Sequence, residues 1–181
     1  MINCLNVNLH INPLKEGIDI NSYNTVRRIK IPPADIINND LFILMNRLEL
    51  EITDAEVFYV KPHLINTIHT DSHGGDYVKL NYIYGGKDSY MAWYRQKPEI
   101  IKNIDKTLDY IAFSLHEVEL IEKQSILNLN SSIVQVGIPH NIINGEQPRY
   151  CLSISLCHKG GWSAGRLKMD EAIKIFKPYS V

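Results

Sequence analysis

His69-Thr70-Asp71, His140 and Arg149 are the residues of this chain whose types and spacing could do chemistry together. Two imidazoles and one carboxylate are the ligand set of a mononuclear Fe(II) site that keeps coordination positions open. In an extended segment, residues i and i+2 project to one side, so His69 and Asp71 can approach one metal from a single strand end. Pro139-His140 closes Ile133-Val134-Gln135-Val136-Gly137-Ile138, which reads as a second strand ending in a third ligand. Arg149 then opens a further strand pattern, Tyr150-Cys151-Leu152-Ser153-Ile154-Ser155-Leu156. An arginine beside a metal implies a cosubstrate with its own carboxylate, because the guanidinium fork matches that group in charge and shape.

Other ligand sets compete less well. His69 and His73 have the HxxxH spacing of helical zinc hydrolases, but Thr70 stands where such a motif has glutamate, and Gly74-Gly75 would end a helix at once. His73 is therefore expected to neighbour the site or face solvent. His10, His63, His116 and His158 have no motif partner. Cys4, Cys151 and Cys157 form no CxxC pair and are expected as reduced thiols rather than ligands.

The elements that must hold these residues read as mainly β. Isoleucine and tyrosine are frequent and alanine scarce, which favours strands. Residues 1–31 read as short strands and turns. After Pro32-Pro33, the positions Ile37, Leu41, Leu44, Met45 and Leu48 share one side of a helix. Strand patterns follow at 55–60, 77–84, 90–94 and from Ile111, with a bend before Val118, and turn signals such as Gly74-Gly75-Asp76 and Gly85-Gly86 between them. Residues 97–110 fit either a short helix or a loop over the site. Met169 to Phe176 reads as a terminal helix. Many short strands at this spacing indicate an antiparallel sandwich or barrel. Arg149, Cys151, Ser153 and Ser155 would form a polar face lining a cavity, and Tyr150, Leu152, Ile154 and Leu156 an apolar face under a helix. Asn144-Gly145 marks the reversal between His140 and Arg149, either as a hairpin or as a crossing between two sheets.

IHTD, VKLNYIYGG, MAWY and VQVGIPHNIINGEQPRYCLSISL resemble the 2-oxoglutarate/Fe(II)-dependent oxygenases, and within them the aspartyl/asparaginyl β-hydroxylase-like branch. The resemblance covers roughly residues 55 to 157. It implies a double-stranded β-helix, a cupin-like jelly roll with flanking helices, in one domain over 1–181. Helical support is expected at about 32–50, the jelly-roll core at about 55–157 and a C-terminal helix at about 168–177. It also implies that His69, Asp71 and His140 hold Fe(II), that Arg149 binds the distal carboxylate of 2-oxoglutarate, and that O2 is consumed, with ascorbate supportive. Many relatives carry serine or threonine two residues after that arginine; here the position is Cys151, with Ser153 or a tyrosine as replacement. Asn81, then Lys79, are the next cosubstrate contacts that the resemblance implies. Trp93, with Tyr94, is a candidate aromatic wall of a substrate pocket. The implied reaction is hydroxylation of a C–H bond, on the side chain of a free or peptide amino acid. A cupin-like metalloenzyme that does not use 2-oxoglutarate and a non-catalytic jelly-roll protein are the alternatives.

At 181 residues and 45% hydrophobic, the chain can bury a sizeable core. Nineteen basic against twenty acidic residues, a net charge of −1, lack the footprint of a dedicated nucleic-acid binder. The N-terminus shows no basic region followed by an apolar one, and no apolar run is long enough to cross a bilayer. A cytoplasmic protein acting on a small molecule or peptide, away from membrane and nucleic acid, is the expectation; the composition leaves the oligomeric state open.

Overall fold

The computed structural model describes residues 2–25, 27–71, 75–100, 110–125 and 131–181. Their eleven strands are β1 (Cys4–Val7), β2 (Arg28–Ile31), β3 (Leu50–Val60), β4 (Ile68–Asp71), β5 (Val78–Gly85), β6 (Tyr90–Gln96), β7 (Tyr110–Phe113), β8 (Val118–Ser125), β9 (Ser131–Gln135), β10 (His140–Ile143) and β11 (Arg149–His158). They form a six-stranded antiparallel sheet in the order β1-β9-β5-β11-β3-β2 and a five-stranded one in the order β7-β4-β10-β6-β8. From β3 to β6, and again from β8 to β11, consecutive strands alternate between the sheets. This winding is a jelly roll of the double-stranded β-helix type.

The larger sheet has two unlike faces. Ala55 and Val57 of β3, Leu80 of β5, Ile133 of β9 and Leu152, Ile154 and Leu156 of β11 form one buried apolar surface. Over it lie α1 (Pro33–Ile36), α2 (Asn39–Arg47) and α3 (Met169–Phe176), through Ile36, Leu41, Met45, Met169, Ala172 and Phe176. Fully burying a side chain the size of Leu152 or Ile154 contributes about 1.5–3 kcal/mol. Period-two alternation sends Glu56, Lys79, Asn81, Arg149, Cys151 and Ser153 to the opposite face, between the sheets.

Two expectations change here, and one of two alternatives is selected. The helix anticipated after Pro32-Pro33 is two helices, because Asn38 accepts the Asp40 amide through its side chain and caps a new start. Ile37 between them is extended and wholly buried. β3 begins at Leu50 rather than Ala55. The reversal at Asn144-Gly145 is a crossing between sheets: the Asn144 amide donates to the carbonyls of Val60, Lys61 and Gln147 at 2.8–3.2 Å. A β-carbon at Gly145 would strike the Lys87 carbonyl, so this turn needs glycine. Most of the ambiguous 97–110 segment, and His73, lie outside the described residues. Among the described residues no helix is long and apolar enough to cross a membrane.

Candidate metal centre

On β4, alternation turns His69 and Asp71 into the space between the sheets while Ile68 and Thr70 are buried on the other side. β10 runs antiparallel beside β4 with His140 directly across from His69, and the two rings lie 4.6 Å apart. The Nδ1 atoms of His69 and His140 sit 2.9 Å from the carbonyls of Thr67 and Ile138, each two residues upstream. A carbonyl can only accept, so each Nδ1 carries a proton, and in the neutral ring each Nε2 presents a lone pair. Asp71 Oδ1 stands 3.4 Å from Nε2 of His69 and 3.9 Å from Nε2 of His140. The three ligand atoms all lie within 4.8 Å of one another. Donors around a first-row ion, with bonds of about 2.1 Å, sit about 3 Å apart. Lone pairs facing each other over such a gap are reconciled by a cation between them. The residues therefore fit a divalent metal.

Burial, with His69 adding to it, lowers His140 to about 4, so its ring is neutral and able to ligate at neutral pH. Burial alone would raise the Asp71 carboxyl, but a hydrogen bond from the His69 ring when Nε2 carries a proton, and the Lys79 ammonium, outweigh it and hold the group well below the usual carboxylate range.

Lys79, expected at a cosubstrate, has its ammonium on two carboxylates: 2.7 Å from Asp71 Oδ2 and 3.0 Å from Glu56 Oε2. Glu56 Oε1 in turn accepts from Arg28, 2.9 Å from Nε and 2.5 Å from Nη2. Glu56 and Arg28 had no motif to reveal them. The available signal was an acidic residue midway along a strand with apolar neighbours, Ala55 and Val57. Burial opposes ionisation of Glu56, yet Lys79 and Arg28 lower its pKa overall. A carboxyl lowered in the folded state stabilises above its unfolded value, and that stability is lost as pH falls through the folded one. Glu56→Gln should therefore be less stable at neutral pH and show a shallower loss of stability below about pH 4.5. Urea midpoints across pH check this; parallel wild-type and variant curves would refute it.

Arg149 heads β11, paired with Val60 and Gly85, and is 2% exposed. Its stem lies against Gly86, where a β-carbon would come within 2.8 Å and where φ is +65°. Among the described residues its Nε has no hydrogen-bond partner and no carboxylate pairs with it; burial lowers its pKa, while the Cys151 thiol beside it acts in the opposite direction. Asn81, four pairs along β5 from Arg149's partner Gly85, is buried with its Oδ1 unpartnered. Lys79, Asn81 and Arg149 thus mark one inner strip; from Ser155, opposite Lys79, to Arg149 is about 20 Å of strand.

A cavity of about 590 Å³ opens onto His69, Asp71 and Lys79, with Tyr110 and Trp162 among its walls; Asn81, His140 and Arg149 do not line it. Trp93 does not line it either. Its side chain is fully buried among Met91, Val134 and Val136, and its indole N–H donates to the Gln135 carbonyl, so it is core rather than pocket wall. Tyr94 points to the other face and donates to Asn141. Trp162, in a 3-10 turn at Gly161–Ala164, is 51% exposed, with the Arg166 guanidinium 4.9 Å from its ring. All three cysteines are free and buried, and none belongs to the ligand cluster.

No family profile matches this chain, and no curated protein does. Among solved structures, HygX from Streptomyces hygroscopicus, crystallised with iron bound, is similar at a TM-score of 0.46 and 8% identity, over 92% of each chain. The X-ray structure of E. coli ycfD is similar at 0.39 and 13% identity, over 57% of this chain and 25% of that one, so the match spans about a quarter of that protein. Likenesses this distant carry no argument about chemistry; the fold stands on its strand order, and the site on its geometry.

Proposed function

We propose that this chain is a 2-oxoglutarate- and Fe(II)-dependent dioxygenase of the aspartyl/asparaginyl β-hydroxylase-like type, hydroxylating an unactivated C–H bond. The observation that carries the reading is Arg149: a buried guanidinium with no carboxylate among the described residues, on the inner strip that also bears the lysine touching Asp71. Burying a charge without a counter-charge costs stability, and a carboxylate ligand offsets that cost. In this reading His69, Asp71 and His140 hold the metal, with the Thr67 and Ile138 carbonyls fixing the imidazole orientations. Arg149 takes the distal carboxylate of 2-oxoglutarate, and Asn81 lines the path between. Bound Fe(II) and 2-oxoglutarate supply the oxidising chemistry, consuming O2 and releasing succinate and CO2, with ascorbate keeping the iron reduced. The buried strip excludes water from that chemistry. The substrate enters by the cavity at His69 and Asp71; an amino-acid side chain, free or in a peptide, is the class the sequence resemblance favours.

Succinate release on adding Fe(II), ascorbate, O2 and 2-oxoglutarate tests the reading, followed by a metabolite and peptide screen for a mass gain of one oxygen. No succinate under any of these conditions would overturn it. One observation favours the alternative of a cupin-like metalloenzyme without 2-oxoglutarate: the cavity stops short of Arg149. Anaerobic titration of the Fe(II)-loaded protein with 2-oxoglutarate separates the two, since only the first predicts saturable binding. A ligand filling the cavity should also shift the emission of half-exposed Trp162 and leave buried Trp93 unchanged. Trp162→Phe should abolish the shift; its persistence in that variant would place the ligand elsewhere.

A further inference from the structure

We propose that Lys79 is a positioning residue that confines Asp71 to one-oxygen ligation of the metal. The inference rests on the metal reading above and gives Lys79 a role other than the cosubstrate contact that the resemblance implies. Each carboxylate in the chain Arg28–Glu56–Lys79–Asp71 divides its oxygens between partners. Glu56 gives Oε1 to Arg28 and Oε2 to Lys79. Asp71 gives Oδ2 to Lys79 at 2.7 Å and leaves Oδ1 facing the two imidazole Nε2 atoms. A charge-assisted contact of that length directs Oδ2 away from the imidazoles. Two-oxygen ligation would require both Asp71 oxygens to turn toward the histidines and would break this contact.

The ammonium is held from behind as well. Its side chain is 11% exposed, and that of Glu56 is 5% exposed. Arg28 occupies the other oxygen of Glu56, so Glu56 Oε2 remains with Lys79. The Glu56 charge offsets that of Lys79, so the lysine orients Asp71 without cancelling the negative charge that the metal needs. The consequence is an open coordination position: a carboxylate bound through one oxygen leaves one more site for exchangeable ligands than a carboxylate bound through two.

Mn(II) with water-proton relaxation reads this directly, because the enhancement follows the number of waters on the ion. The proteins are wild type, Lys79→Arg, Lys79→Met and Lys79→Met with Glu56→Gln; the last removes both charges and avoids leaving Glu56 without Lys79. At saturating Mn(II), both methionine variants should lose about one bound water, lowering the enhancement by about a third. Their Mn(II) affinity should stay within about tenfold of wild type. Lys79→Arg should keep the wild-type enhancement. Wild-type enhancement in both methionine variants would overturn the proposal and leave the metal reading standing. Loss of Mn(II) binding in the double variant would also overturn it, in favour of a lysine that merely holds the site together. Failure of wild type to bind Mn(II) would overturn the metal reading and this proposal with it.

Discussion

Alanine in place of Asp71 should remove metal binding and metal-dependent turnover while leaving a folded chain. Asp71 is the anionic member of the His69, Asp71 and His140 cluster, and its Oδ1 faces both imidazole Nε2 atoms. Without it, two neutral nitrogens would remain beside the Lys79 ammonium, which repels a divalent cation. Even partners that only orient a ligand change metal affinity by about 10–100-fold. Loss of the ligand itself should cost at least about a hundred-fold. Lys79 would keep Glu56 at 3.0 Å, so the half-broken network costs about 1–3 kcal/mol rather than the fold. Fe(II) or Mn(II) titration checks the first claim and urea unfolding the second. Wild-type metal affinity in Asp71→Ala would end the assignment of this cluster.

Arg149→Met should separate function from stability in opposite directions. A charge-assisted contact to a carboxylate is worth about 1.5–3 kcal/mol, so affinity for 2-oxoglutarate should fall roughly ten- to a hundred-fold or more. Metal affinity should hardly change, because Arg149 makes no contact with the three ligands. The ligand-free protein should become more stable, since the substitution removes a buried cation whose Nε has no partner and substitutes a flexible apolar side chain. Isothermal titration and urea midpoints give the two numbers. Unchanged 2-oxoglutarate affinity would remove Arg149 from the cosubstrate site. A marked loss of stability would mean that the guanidinium is held by the protein alone.

The strand rule made part of this legible in advance. His69 and Asp71 had to share a face, as did Arg149, Cys151, Ser153 and Ser155, because residues two apart in a strand project together. The same rule misled at Trp93: it faces inward, but into the packed part of the space between the sheets, and its N–H meets the Gln135 carbonyl. The first residues of β3 were missed because Glu51 and Asp54 interrupt the apolar pattern. Only in three dimensions does Lys30 stand 2.7 Å from Asp54, and Lys79 with Arg28 beside Glu56. Trp162 resisted in the same way, because nothing in its neighbouring residues shows an indole exposed at a cavity wall beside Arg166.

By itself the sequence determined the local terms: which segments are strands, which side chains share a face, and which residue types could bind a metal or a carboxylate. Those follow from backbone periodicity and side-chain chemistry, which are properties of neighbouring residues. Tertiary structure alone decided that β10 and β11 belong to different sheets, that His140 lies across from His69, and that Lys79 bridges Asp71 and Glu56. These depend on register between strands far apart in the chain, where a slip of one residue turns every side chain to the other face.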